Sequence, residues 1–328
     1  MAARPQFLQE PVVEYRLAGT GSLSPDVLGA VAYGGAATDA DPRWLRVGLE
    51  TPEAGGVVEV WRGSGPVDRG TAGPIRYAAS HSLLFGILEV DERQHGGLRG
   101  AAAFAYRALE AFHRGRPHRH LLRMWSFMDA INAGDGDAER YKQFCLGRAE
   151  GFGRVPEETY PAATAVGRRD GEPTLQVCWI AGRTAGQPVE NPRQVQAYRY
   201  PRRYGPSPPS FCRAIVLPQG PLLVSGTASI VGSESMHGGD LGAQLDETVR
   251  NLQQVLAAAH GSGGSTPVLP AGTVLKTYLR DLGASAEAAA RLGAVLGPGV
   301  SVVTLGADIC REELSVEMEC VCAYVGSG

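Results

Sequence analysis

The sequence predicts an α+β protein: two similar mixed-sheet units, each with helices on one face, meeting at a pseudo-symmetric junction. Three observations predict it. Short runs of apolar and β-branched residues recur between turn residues, and the 44 Gly and 22 Pro of the 328 residues are scattered without a period, as many short elements require. Four longer stretches carry apolar residues at helical spacing. The order strand, strand, helix, strand, helix, strand, strand then occurs twice, offset by roughly 140 to 150 residues with little identity between copies, which marks a structural duplication.

Taken in order, residues 12–17, 27–33, 44–50 and 57–61 read as strands of a β-rich front segment. Residues 75–90 are strand-like with a break, 98–112 form an amphipathic helix closed by Gly115, and 120–131 return as a strand. A second helix over 137–148 and strands over 161–166 and 174–180 complete the first unit. A polar stretch rich in Pro, Arg and Tyr, 187–210, leads to the second. There, strands over 211–217 and 222–229 flank the turn Pro218-Gln-Gly-Pro221. Asp240 is the N-cap of a helix whose Leu241, Leu245, Val249, Leu252 and Leu256 share one face, and Gly261 ends it. After a flexible loop at 261–265 come a strand over 273–279, an Ala-rich helix capped by Ser285 and ending near Gly297, and strands over 301–305 and 314–324. The chain divides into 1–195, the first unit with its front segment, and 196–328, the unit expected to carry the active site.

Composition narrows the function classes. Lys+Arg 31 against Asp+Glu 34 gives a net charge of −3, so no global basic field draws in a nucleic acid. The N-terminal residues lack the apolar run of a signal peptide, and no stretch reaches the roughly 18 apolar residues of a membrane span. The expected setting is the cytoplasm, with neither membrane nor nucleic acid as a partner. Cysteines at 145, 178, 212, 310, 320 and 322 form neither a dense disulfide framework nor a paired zinc pattern, so reduced thiols are expected. Cys320 and Cys322, two apart on a strand, share an apolar face, and no metal site is expected.

Several residues could carry chemistry. The last strand alternates, with Val316, Met318, Cys320 and Cys322 on one face and Ser315, Glu317, Glu319 and Val321 on the other. Its carboxylates read either as a solvated face or as acids at a junction, where burial would raise a pKa and make a general acid. Cys310, seven residues before Glu317 and separated from it by the charged turn Arg311-Glu-Glu313, reads as a small buried hydrophobe with no adjacent His to activate it. Arg148 reads as a cation compensating the end of its helix or as a carboxylate clamp. The stretch from Tyr198 to Arg213 interleaves bases, aromatics and prolines, and could lay Tyr200 and Arg213 over a pocket for a small anionic ring compound. The basic run His113 to His120 reads as a solvated connection, and Gly19-Thr-Gly21 and Gly63-Ser-Gly65 lack the context of a phosphate cradle.

Four segments in order then resemble the chorismatases: Arg123-Met-Trp-Ser-Phe-Met-Asp-Ala-Ile-Asn132, Glu139-Arg-Tyr-Lys-Gln-Phe-Cys-Leu-Gly-Arg148, Asn191-Pro-Arg-Gln-Val-Gln-Ala-Tyr-Arg-Tyr-Pro201 and Ser225-Gly-Thr-Ala-Ser-Ile-Val-Gly232. The C-terminal unit is also similar to the trimeric enamine/imine deaminase fold, through Gly239-Asp-Leu, Asn251-Leu and the terminal strand with its Glu. The resemblance implies a deaminase-like/chorismate mutase-like fold and conversion of chorismate to pyruvate plus a ring acid, without cofactor or metal. It implies Glu317 as proton donor, Cys310 as a second catalytic residue that positions the ring hydroxyl or helps to open the intermediate, and Arg148, Tyr200, Arg213, Gly226 and Thr227 as substrate-binding residues. A Cys at 310 and a Gly at 226 resemble the subgroup that makes 3-hydroxybenzoate. Hydrolysis to a dihydroxycyclohexadiene carboxylate is the alternative, and a deaminase-like enzyme or a small-acid-binding protein the further ones. The duplication favours a monomer, since it can replace subunit contacts.

Overall fold

The computed structural model describes residues 12–17, 22–36, 38–218, 220–261 and 269–322. The chain begins with β1 (Val12–Leu17), β2 (Val27–Tyr33), β3 (Trp44–Arg46) and β4 (Val57–Arg62), paired in the order β1-β4-β2-β3 as a front sheet. The first unit follows: β5 (Asp68–Ala72), β6 (Ile75–Ala79), β7 (Leu83–Asp91), α1 (Leu98–His113), β8 (His120–Asp129), α2 (Arg140–Phe152), β9 (Ala162–Arg168) and β10 (Thr174–Gly182). The second runs β11 (Gln187–Val189), β12 (Ala214–Val216), β13 (Leu222–Ala228), β14 (Ile230–Val231), β15 (Glu234–Ser235), α3 (Leu241–His260), β16 (Val274–Leu279), α4 (Ser285–Val295), β17 (Ser301–Gly306) and β18 (Val316–Cys322).

The two six-stranded sheets share one topology, β5-β6-β7-β10-β8-β9 and β11-β12-β13-β18-β16-β17. In each, the pair joined through the second helix, β8 with β9 and β16 with β17, is parallel, and the other pairs are antiparallel. The expected α+β duplication is therefore present, with one extra edge strand per sheet that sequence patterning misses. β5 and β11 are short and rich in exposed residues, so neither carries an alternating apolar signal. Because β11 pairs with β12, the second sheet already begins at Gln187, ahead of residue 196.

Helices cover one face of each unit. Leu98, Tyr106, Leu109 and Phe144 pack on the first sheet, and Leu245, Val249, Leu252 and Leu256 pack on the second. The other faces of both sheets and one face of the front sheet share a single core, which includes Tyr33, Trp61, Phe85, Trp125, Leu223 and Tyr278. Three sheets thus enclose one interior. Asp240 caps α3, its side chain accepting from the Ala243 amide at 2.9 Å, a contact worth ~1 kcal/mol. Gly261 closes α3 in the left-handed conformation at φ 64°.

Some boundaries differ from expectation for local reasons. Residues 136–138 form a 3-10 turn, so α2 starts at Arg140 and runs on to Phe152, leaving Arg148 inside the helix rather than at its end. Ser285 is not a cap: Asp281 accepts from the Gly283 amide and starts a 3-10 turn that runs into α4. The third front strand stops at Arg46, and only Glu50 pairs again, with Gly306. Gly19 to Gly21, most of the 261–265 loop and residues 323–324 lie outside the described residues. Among the described residues, no helix is long and apolar enough to cross a membrane.

The His113 to His120 run is not wholly solvated either, since His113 and His118 are buried. The Trp179 indole N–H donates to His113 Nε2 at 2.8 Å, so that nitrogen carries no proton and Nδ1–H donates to the His118 carbonyl at 2.6 Å. Burial pulls the His113 pKa down to about 4, and His118 is lowered for the same first cause. A lowered folded pKa means that the unfolded chain binds protons first as pH falls. Stability is therefore full above the ordinary histidine pKa and is lost as pH drops through the window toward about 4. Urea midpoints measured across that window should decline in the parent and decline less steeply in His113→Gln. An equal slope in the variant contradicts this assignment.

Candidate active site

The two six-stranded sheets meet where the edge strand β9 lies beside β13, joined by side-chain bonds to backbone and, toward the ends of β9, by the isolated backbone bridges Ala162–Cys212 and Gly167–Asp308. Ala163 N–H donates to Ser225 Oγ at 2.9 Å, and Gly226 N–H donates to Thr164 Oγ1 at 2.9 Å. β13 loses its register with β18 between Val224 and Thr227, which places a bulge at Ser225-Gly226. The gap so formed is a cavity of about 300 Å³, covered by residues 200–213 and by the loop before β18.

Glu317, Cys310, Arg148, Tyr200, Arg213 and Gly226 all line this cavity. Thr227 does not. Beyond the bulge its side chain is buried, with its hydroxyl donating to the Ser225 carbonyl at 2.9 Å. The carboxylate face of the last strand is not solvated, because β18 is an inner strand flanked by β13 and β16, and Glu317 and Glu319 are each only 5% exposed.

These two carboxyl groups, on one face of one strand, have opposite environments. Glu319 accepts from Arg123 Nη2 at 2.7 Å, Trp125 Nε1 at 2.7 Å, Lys276 Nζ at 2.8 Å and the Thr164 hydroxyl. Although burial opposes ionisation, the Lys276 and Arg123 charges and these bonds hold its pKa down at about 2. No side chain among the described residues hydrogen-bonds the Glu317 carboxyl. Burial first, and the Glu319 charge second, push its pKa up to about 8, against the opposing pull of Arg123 and Arg213. Glu317 therefore holds a proton at neutral pH that it can deliver into the cavity.

Four arginines line the same space; Arg203 is exposed and paired with Glu234, and the other three are more deeply set. Arg148 sits midway along α2 with Nη2 donating to the Ser210 carbonyl at 2.8 Å, so it spans from helix to cover rather than compensating a helix end. Arg213 Nη2 donates to the Tyr200 hydroxyl at 2.7 Å and the Val195 carbonyl at 3.0 Å. Arg311, read from sequence only as part of a charged turn, lies over the Tyr204 ring at 3.8 Å with Nη1 on Ser233 O and Ser235 Oγ. Each of these three keeps one buried nitrogen without a hydrogen-bond partner among the described residues: Arg148 Nε, Arg213 Nε and Arg311 Nη2. Unsatisfied buried donors of fixed charge fit an anion with more than one carboxylate.

Cys310 is a neutral thiol. Burial and the neighbouring Glu317 push its pKa far up, and the same first cause raises Cys145 to about 12, so neither supplies a thiolate nucleophile.

Sequence comparisons identify the family. Residues 59–181 match the family described as "Chorismatase FkbO/Hyg5-like, N-terminal". A 3-hydroxybenzoate synthase of Streptomyces hygroscopicus is 35% identical over 84% of this chain and 84% of its own. This chain belongs to the chorismatase family. A chorismatase of Streptomyces rapamycinicus is 32% identical over 95% of this chain and 98% of its own. A chorismatase crystal structure superposes with a TM-score of 0.86 at 31% identity, covering 96% of this chain and 99% of that one. In this chorismatase-family chain the residues that sequence reasoning missed are Thr164, Arg123 and Arg311. Arg123 gave a faint signal, a charge amid the apolar strand Leu121-Leu-Arg-Met-Trp125, whereas Thr164 gave none.

Proposed function

We propose that this chain converts chorismate to 3-hydroxybenzoate and pyruvate. The observation that carries the reading is a buried, protonated Glu317 facing three arginines with unsatisfied donors in one cavity. The costly step in releasing pyruvate is protonation of the enol-ether methylene carbon, which creates an oxocarbenium ion and needs an acid held neutral until used. Glu317 gives that proton. Arg148, Arg213 and Arg311 hold the two substrate carboxylates, and Tyr200 aligns the Arg213 guanidinium to which it is bonded.

Two nucleophiles can then complete the reaction. Water would give the dihydroxycyclohexadiene acid. The ring hydroxyl beside the ether would instead displace the side chain, closing an epoxide as the C–O bond to pyruvate breaks, after which the ring opens the epoxide and loses a proton to become the phenol. The second route adds no water, since 3-hydroxybenzoate and pyruvate together hold every atom of chorismate. The apolar walls Phe144, Phe211 and Ala163 and the neutral Cys310 thiol favour it by limiting water beside the ring. The resemblance to both 3-hydroxybenzoate synthases and chorismatases supports this class of reaction.

The test is incubation with chorismate, without added cofactor, and chromatography of the ring acid. Equimolar 3-hydroxybenzoate and pyruvate are expected. A diene diol moves the chemistry to hydrolysis, and unconsumed chorismate refutes the proposal. Cys310→Ala should divert part of the product to the diene diol, and an unchanged product removes Cys310 from product control.

A further inference from the structure

The interior enclosed by the three sheets holds charges that the proposed chemistry does not touch. Lys276, on β16, is fully buried and donates to Glu319 Oε1 at 2.8 Å and to Glu59 Oε2 at 2.6 Å. Glu59 belongs to the front sheet, where the Tyr33 hydroxyl donates to Oε2 at 2.9 Å and the Trp61 indole to Oε1 at 2.8 Å. With Arg123, the cluster balances two carboxylates against two cations, and every carboxylate oxygen is hydrogen-bonded. One end, Glu319, lies two residues from Glu317 on the same strand face. The other end, Glu59, does not line the cavity.

A buried ionised carboxylate survives only if it is paired. Lys276 and Arg123 pair Glu319, and Glu59 anchors Lys276, so a fixed negative charge stands beside Glu317. We propose that the Glu59–Lys276–Glu319 chain fixes a permanent negative charge beside the acid Glu317 and so adds to burial in holding its proton, with Glu59, Lys276 and Glu319 as positioning residues that never meet substrate. The proposal rests on Glu317 as the proton donor and gives the front sheet a part in the chemistry.

The groups facing Glu317 set the sign. Glu319 on its own strand is negative, and Arg123 from β8, Arg213 from the cover, Arg148 from α2 and Arg311 from the preceding loop are positive. Tyr141 from α2 and Cys310 from the preceding loop are both held neutral by burial. Glu319→Gln removes the negative neighbour and leaves the arginines and Lys276 acting on Glu317, so its ionisation moves to lower pH. Glu59→Gln removes a more distant negative charge and moves it the same way by less.

The experiment is the pH profile of kcat/KM for the full chain. The parent should lose activity as pH rises through about 8. The limb should move down by about one pH unit in Glu319→Gln and by a smaller step in Glu59→Gln, so that activity lost at pH 8 is recovered near pH 6. Trp61→Phe removes a hydrogen bond to Glu59 without changing charge, and its limb should stay with the parent. Limbs that stay put in both glutamine variants, or that move equally in Trp61→Phe, overturn the proposal. Infrared titration of the protonated carboxyl band, assigned by its loss in Glu317→Gln, reads the same shifts without turnover. It also works on the unsubstituted protein, where absence of that band at pH 7 overturns the proposal. Failure of chorismate turnover alone would count against the proposed reaction and not against the charge relation.

Discussion

Glu317→Gln is expected to lower kcat for chorismate by about 10³-fold while leaving KM within a few-fold of the parent. The amide matches the carboxyl in size and fills the same place on β18, so the fold and the arginine-lined wall are undisturbed. What disappears is a proton on an oxygen whose affinity for it is matched to neutral pH. With a pKa of about 8, the parent holds the acid form over the carboxylate by about ten to one at pH 7. Because that pKa is raised, the active form dominates below it. The parent rate should be flat at neutral pH and fall tenfold per unit above about 8, and the residual rate of the variant should lose that limb. Measured at pH 6.5 and 9, the two enzymes should differ far less at the alkaline end. Full turnover in Glu317→Gln would move the acid to another group and leave the buried carboxyl as a wall of the pocket.

Much of this site was legible in the sequence, because strand alternation is a strong signal. Period-two patterning put Glu317 and Glu319 on one face opposite four apolar residues, and the repeated element order gave both sheets. What patterning could not tell is that β18 is an inner strand, since that depends on β13 and β16 flanking it, and both are distant in sequence. Burial then divides two similar carboxylates into an acid and a permanent anion, a division made by Lys276 and Arg123 from other strands. Arg311 and Thr227 show the same limit at single-residue scale. Arg311 sits in a charged turn, and nothing local shows that Tyr204 and the β14–β15 hairpin fold against it. Thr227 reads as a neighbour of Gly226 on the pocket strand, and only the bulge, which no spacing betrays, turns it away.

Gly226→Ala should lower kcat by about 10²-fold while the protein stays folded with a similar Tm. The requirement for glycine at this position is one of space, not of backbone conformation, since its φ is not among the positive values of the chain. A methyl built on Gly226 would lie 2.0 Å from Glu317 Oε1, 2.8 Å from its Cδ and 3.1 Å from Thr164 Oγ1. Thr164 cannot give way, because its hydroxyl donates to Glu319 and accepts from Arg123 and the Gly226 amide. The Glu317 carboxyl can, by swinging into the open cavity, so the cost falls on its aim and not on the fold. Displacing an acid by about 1 Å from its proton-delivery geometry costs roughly two powers of ten in rate. The double variant tests the cause. In a Glu317→Gln background no acid remains to be misdirected, so the methyl should cost little more, and the two losses should be far from additive. If Gly226→Ala imposes its full penalty in that background as well, the methyl acts on substrate binding and not through the glutamate.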